Sequence, residues 1–456
     1  MDSSRSAKAL KKALLTTRDL LERLRADSLI GDSTADEQED GGYFVMFVNM
    51  KLGGIRISGA LAEKYRECIE KLADIHGRNS AERTLSRDAV ERLLRNTILR
   101  TLRPKKNVAG ETRAKFEGRL TRELLTMRKA LGALPSEWRV AAQVQGLGPP
   151  GLPFAFGGVE FGHGKERGQE VAANLLDWGA RHRRFAAAKI AAENATRQTA
   201  REELSESFSG HALASVTVRA VDNEAAKHLG IERIRRTVDI LNFFAPFLQE
   251  LPRVYRAYLA PEGTRTALVW AAHAIDGGAL HSSTPWPAAN PHVLGMDVSS
   301  PRAIEVGLSR ASELLGREGR SDLDDRVVNA LAWAGRAFVE PRRDQAFLLY
   351  AIALEALLTK PNSRAGVTDR VRLRAAHLIG RGTAMKRRVF ALMARLYEIR
   401  SALVHSGDSG DLTDSDLKAM AEVVERALTG VLTDERFTRM RTAADFDIWF
   451  EGQLLA

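Results

Sequence analysis

Cys68 is the only cysteine in 456 residues. One thiol cannot close a disulfide within the chain, and a Cys-rich zinc cluster or an iron–sulfur centre is excluded with it. Long apolar runs are missing too. A membrane span needs roughly 18–20 uninterrupted apolar residues, and the longest apolar patches, such as Ala346–Leu358, contain or adjoin polar residues. The N-terminal cations Arg5, Lys8, Lys11 and Lys12 are not followed by a pure apolar segment. Leu10, Leu14, Leu21 and Leu24 stand at helical spacing with charges between them. That pattern predicts a packed or partner-binding helix rather than a secretory signal, and cytoplasmic residence.

Motifs for common chemistries are absent or broken. The ten histidines are scattered, with no H-E-x-x-H or H-x-H, so no metal and no cofactor are expected. No G-x-S-x-G elbow occurs. Gly146-Leu-Gly148-Pro-Pro-Gly151 matches G-x-G-x-x-G by letters. Pro149 and Pro150 occupy the positions that should open a helix, so no helix N-terminus stands ready for a pyrophosphate. Gly164-Lys165 is followed by Glu166 instead of Ser or Thr, and Val159 stands where a P-loop needs its first glycine.

What remains is a globular balance, 44% hydrophobic and 28% charged, long enough for two to four domains. Lys and Arg number 68 against 58 Asp and Glu, a net charge of +10. That excess permits an anionic partner such as nucleic acid without requiring one. Residues 1–42 read as a basic helix followed by an acidic, glycine-closed linker, Gly31–Gly42. Residues 43–136 read as two strands, Tyr43–Val48 and Gly54–Ser58, then Arg-rich helices over Ala60–His76, Ser86–Leu102 and Thr112–Leu131. The basic loop of Arg103, Lys105 and Lys106 lies between the last two helices. Because Leu93, Leu94, Ile98 and Leu102 keep an apolar face, the neighbouring arginines read as the wet side of a helix.

Residues 137–320 read as mixed α/β. Strands are expected at Trp138–Gln145, Gly158–Gly162, Leu213–Val221, Val254–Ala260 and Leu268–His273, and helices at Asn223–Leu248 and Gln169–Leu204. Leu147–Phe156, rich in Gly and Pro, is expected to be irregular. Residues 321–456 read as an all-α bundle, with helices at Asp324–Glu340, Arg342–Thr359, Thr368–Ile379, Met385–Val404 and Asp414–Leu432. The short breaks between them predict antiparallel neighbours. The predicted class is therefore α+β and multidomain.

One constellation carries chemistry. Val389, Met393, Leu396, Arg400 and Leu403 step by three or four residues, which puts Arg400 on an apolar stripe. A guanidinium there must be paired or face a cleft. His405 follows five residues later, about 500° along a straight helix and so about 140° around it; the two flank one edge, and distortion near the helix C-terminus would bring them together. Ser401 shares a face with His405 at i, i+4. Glu355 interrupts the apolar run Phe347–Leu358 and needs a partner; Arg400 is one candidate, Arg370 and Arg374 are others.

Three stretches together resemble the Apea-like branch of the HEPN superfamily. They are Arg343–Leu358 with its A-L-E-A-L-L core, Val367–Ile379, and Tyr397-Glu-Ile-Arg400-Ser401-Ala-Leu-Val-His405-Ser-Gly407, which resembles the family's R-x4–6-H signature. The match covers about a quarter of the chain. Gly158–Gly162 and Val216–Leu241 resemble, more weakly, the variable domains that precede such modules. The resemblance implies a helical bundle that forms a homodimer, with the two R-x4-H motifs meeting in a cleft. It further implies a metal-independent RNA endonuclease leaving 2′,3′-cyclic phosphate ends, of a kind found in antiphage defence and stress responses, here restrained by the N-terminal region until a phage or cellular trigger acts.

Arg400 and His405 would be the catalytic pair. Ser401 stands at the polar position after the arginine, where active members often carry Asn, Asp or His. The residue types suit RNA cleavage without metal. An imidazole moves a proton to or from a ribose oxygen near neutral pH, and a guanidinium clamps the scissile phosphate. Glu355 would orient Arg400, or would form a plain structural ion pair. Arg103, Lys105, Lys106, Arg181, Arg183 and Arg184 would add RNA phosphate contacts. The alternative is a non-catalytic HEPN scaffold that dimerises or binds RNA.

Overall fold

Leucines and alanines at three- and four-residue spacing set the first helices. The computed structural model describes residues 3–30, 44–49, 53–74, 85–102, 112–131, 135–144, 147, 152–164, 212–248, 270–274, 281–283, 298–359, 366–406 and 412–455. It divides into two compact units. One comprises residues 1–140, 217–230 and 272–281, and the other comprises 141–216, 231–271 and 282–456.

In the first unit, α1 (Ser3–Ile30), α2 (Gly59–Ala73), α3 (Arg87–Leu102) and α4 (Arg113–Leu131) share one core. From α1 come Ala13, Leu20, Leu21 and Leu24, and from α2 Tyr65, Cys68, Ile69 and Leu72. Val90, Leu94 and Ile98 of α3 meet Phe116, Leu120 and Met127 of α4. The basic first helix is thus a packed one. A hairpin of β1 (Phe44–Asn49) and β2 (Gly53–Ser58) pairs antiparallel, from Phe44 opposite Ser58 to Asn49 opposite Gly53. Burial, followed by the charge of Glu67, pushes the Cys68 thiol up to about 11, which leaves it protonated and unreactive at neutral pH.

Asp222 serves two helix starts. Its carboxylate accepts from the backbone N–H and hydroxyl of Ser86, at 2.8 and 2.9 Å, and Ser86 in turn caps α3 through Ala89 N–H. The same carboxylate accepts from Glu224 and Ala225 N–H at the start of α5 (Asn223–Leu248). Both links satisfy amides that a helix N-terminus leaves open.

A six-stranded sheet comprises β3 (Ser136–Val144), β4 (Phe154–Phe156), β5 (Val159–His163), β6 (Ala212–Ala220), β7 (Trp270–Ala274) and β8 (His281–Ser283). Its order is β4-β5-β6-β3-β7-β8, with β4–β5 and β5–β6 antiparallel. Leu147–Phe156 is not irregular throughout: Phe154–Phe156 is a strand, because Gly157 and Gly158 (φ +59° and +78°) supply the two-residue turn that folds it onto β5. Val254–Ala260 and Gln169–Leu204, with Gly146, Gly148–Gly151 and the loop Arg103–Lys106, lie outside the described residues.

The helices of the second unit begin ahead of residue 321, with most of α5 and then α6 (Pro301–Glu305) and α7 (Leu308–Gly316). The others are α8 (Asp322–Val339), α9 (Arg343–Leu358), α10 (Val367–Ile379), α11 (Gly382–Ser406), α12 (Asp414–Thr433), the short α13 (Glu435–Thr438) and α14 (Ala443–Leu455). Pro341 lies in the break between α8 and α9, which pack on each other. α9 also packs on α10, α11 and α12, so it is the central rod of the bundle. Reciprocal capping boxes start α8 (Ser321 with Asp324) and α12 (Thr413 with Asp416).

Gly335 lets α8 press on α5: a Cβ there would collide with the Asp239 carbonyl oxygen. Beside it Arg336 donates to Asp239 at 2.6 Å. The chain is an α+β protein. Among the described residues no helix is long and apolar enough to cross a membrane.

Candidate functional site

Periodicity places the site. On α11 the residues Val389, Met393, Leu396, Tyr397 and Leu403 are buried against the bundle, and Arg400 falls within that stripe. Its side chain is 31% exposed, and Nη2 lies 3.2 and 3.5 Å from the two carboxylate oxygens of Glu355 on α9. The Glu355 side chain is 22% exposed. The Tyr397 hydroxyl, one helical turn before Arg400, donates to Glu355 Oε1 at 3.4 Å. One half-buried carboxylate therefore accepts from both a guanidinium and a phenol.

Burial, then the negative charge of Glu355, pushes the Tyr397 hydroxyl well above its ordinary value. It stays protonated and able to donate throughout the neutral range.

Other contacts fix α11 itself. Arg395 lies 3.0 Å from Asp416 Oδ1, which joins α11 to the N-terminus of α12. Burial alone would raise the Asp416 carboxyl, but the Thr413 hydroxyl and backbone N–H, with Arg395, outweigh it and hold the group below its usual value. A charged Asp416 at the first turn suits the helix dipole.

The predicted site residues separate into two groups. Glu355 and Arg400 are joined by contact, so of the three arginines considered for Glu355 it is Arg400 that holds it. Ser401 and His405 are exposed on the last turns of α11. Among the described residues no hydrogen bond or ion pair links Arg400 to His405, in keeping with the roughly 140° between them around a straight helix. Arg103, Lys105 and Lys106 lie outside the described residues, as do Arg181, Arg183 and Arg184.

Arg374, another of the three candidates for Glu355, is engaged elsewhere. It donates to Leu358 O at 2.8 Å and to Asp447 of α14, and Arg326 of α8 lies 3.6 Å from the same Asp447 oxygen. All three side chains are buried. Tyr397 and Asp447 are the members that sequence reasoning missed. Tyr397 could have been found from its position three residues before Arg400, on one helix face. Asp447 lies on a helix that the periodicity did not reveal.

Such an arrangement can hold a phosphate oxygen at the outer edge of Arg400, whose guanidinium keeps N–H groups beyond those used by Glu355. It also presents an imidazole to solvent one and a half turns further along. Among the described residues no group of three His, Cys, Asp or Glu side chains could hold a metal ion. No family model matches the chain, and neither a curated protein nor a solved structure matches it.

Proposed function

We propose that the C-terminal bundle is a metal-independent endoribonuclease of the HEPN type, acting in antiphage defence or a stress response, with the N-terminal region regulating it. The observation that carries the reading is the anchored guanidinium: Arg400 sits on a core-side stripe, aimed by Glu355, with His405 exposed beyond it on the same helix. Glu355 and Tyr397 are positioning residues that limit the rotamers of Arg400, and a phosphate then meets a preset clamp. His405 takes the proton of the 2′-OH or gives one to the leaving 5′-oxygen. The 2′-oxygen bonds to phosphorus as the P–O5′ bond breaks, leaving a 2′,3′-cyclic phosphate and a 5′-hydroxyl.

Arg400 and His405 lie about 140° apart around a straight helix, and a second chain that brings its own pair supplies a clamp together with two imidazoles, one as acid and one as base. The proposed enzyme is therefore a homodimer through this bundle.

The test is incubation of the purified chain with mixed RNA in EDTA, beside Arg400→Ala and His405→Ala. Cleavage by the unaltered chain that both variants lose is expected. Persistent cleavage in both variants would sink the site. A second reading, a dimerising or RNA-binding scaffold without catalysis, is favoured by the Glu355 contact itself, which satisfies Arg400 without any substrate. RNA binding with no cleavage, in the presence of candidate triggers, decides for it.

A further inference from the structure

A second set of arginines lies within the same unit, away from α11. Arg233 and Arg236 stand one turn apart on one face of α5 and are both half-buried. Arg236 donates to the side-chain oxygen of Asn329, a neutral partner. Arg233 reaches the β4–β5 turn instead: its Nη2 is 3.0 Å from the point where a Cβ on Gly158 would stand. Neither has a carboxylate at ion-pair distance among the described residues.

The same turn lies against the end of α7, since Gly157 N–H donates to Ser312 Oγ and a Cβ on Gly316 would touch Gly158 N. Arg320 reaches the same end of α7, whose Leu315 side chain lies against Gly157. It donates to Leu315 O at 3.0 Å and to Asp325 at 2.8 Å, which leaves further N–H groups free.

We propose that Arg233, Arg236 and Arg320 form a binding site for one phosphoryl group, carried by a small phosphorylated ligand. A half-buried guanidinium with no carboxylate in direct contact is costly, and here Glu318, Asp325 and Asp239 act on Arg233 and Arg236 only from a distance while Asp325 pairs with Arg320. An anion seated among them removes that cost and finds forked donors that match phosphate oxygens. Burial first, and then the charge of Arg320, holds the Arg233 and Arg236 guanidiniums below their usual values, against the opposing pull of Glu318 on the one and of Asp325 and Asp239 on the other. Glycine at 158, with its positive φ, keeps the approach to Arg233 open where a side chain would crowd it. All three arginines are only partly exposed, which suits a single phosphoryl group better than the extended, exposed track that a nucleic-acid backbone needs.

The test uses the full chain and pyrophosphate, with sodium chloride at matched ionic strength as the reference. Pyrophosphate should raise the unfolding temperature by several degrees beyond chloride. In titration calorimetry Arg233→Gln and Arg236→Gln should each weaken its binding at least about tenfold. Arg439→Gln, at an exposed arginine, should leave it unchanged and so excludes bulk charge. Both cluster variants should unfold no earlier than the unaltered chain without ligand, because each removes like charge. A pyrophosphate shift no larger than that of chloride, or one that survives both cluster variants, overturns the site.

A 5′-hydroxyl RNA oligomer that displaces pyrophosphate in an Arg233-dependent way would assign the cluster to nucleic acid and overturn the small ligand. Arg400→Ala and His405→Ala should keep the pyrophosphate shift, so this site and the ribonuclease reading fail independently.

Discussion

Glu355 receives a guanidinium and a phenol on one carboxylate, and the phenol gives that contact a pH signature. Tyr397 is buried, and its hydroxyl is held well above the ordinary value by burial first and by Glu355 second. A raised folded value means that the fold prefers the protonated phenol. Its contribution is complete below the unfolded value of roughly 10 and is lost as pH rises beyond it. Tyr397→Phe should therefore flatten the alkaline fall in stability above about pH 10, at a neutral-pH cost of about 1 kcal/mol for the lost hydrogen bond. Urea unfolding of both proteins at fixed pH steps measures this, and equal alkaline slopes would refute it. Glu355 and Arg400 were legible in the sequence because a charge on an apolar stripe demands a partner. Which arginine Glu355 takes was not legible, since Arg400, Arg370 and Arg374 all satisfy the same demand on paper and only packing chooses.

At the scale of elements, long periodic segments were readable and the last helix was not. The helix expected over Asn223–Leu248 has the bounds of α5, because apolar residues recur along it at helical spacing and Asp222 offers a cap. α14 defeats the pattern. Phe446 and Phe450 are buried as periodicity would have it, yet Asp447 beside them is buried too, while Ile448 is 63% exposed. Charge inside and isoleucine outside invert the usual sign of the signal, and the cause is the Arg326–Asp447–Arg374 cluster.

This cluster is the fastening of α14 to α8 and α10. The Phe450 ring adds to it, with the Arg374 guanidinium 4.9 Å from its centroid. Asp447→Ala would leave two buried guanidiniums without their carboxylate and should cost about 3–5 kcal/mol. Replacing all three residues by Arg326→Met, Arg374→Met and Asp447→Leu should recover most of that loss, because the charges leave together. Chemical denaturation of the single and triple variants decides. A single variant as stable as the unaltered chain would show that the cluster does not fasten the helix.

At the scale of the whole molecule the proposed enzyme makes a demand that no single chain meets. Arg400 and His405 lie about 140° apart around a straight helix, so in the proposed mechanism one copy offers either a clamp or a proton carrier to a given phosphate. A cleft built by two copies offers both, and each copy's defect is then felt by its partner. Mixing the unaltered chain with an excess of His405→Ala should reduce cleavage per unaltered chain, because most unaltered chains then sit beside a defective one.

The size of the loss carries the mechanism. With free exchange and a threefold excess of the variant, about three quarters of unaltered chains acquire a variant partner by random pairing. A cleft that needs both histidines then keeps roughly one quarter of its activity per unaltered chain, whereas a site complete within one chain keeps all of it. Light scattering on the same mixtures must show dimers for the comparison to hold. A strict monomer, or cleavage that scales only with the amount of unaltered chain, removes the composite cleft and leaves Arg400 and His405 to be explained within one copy.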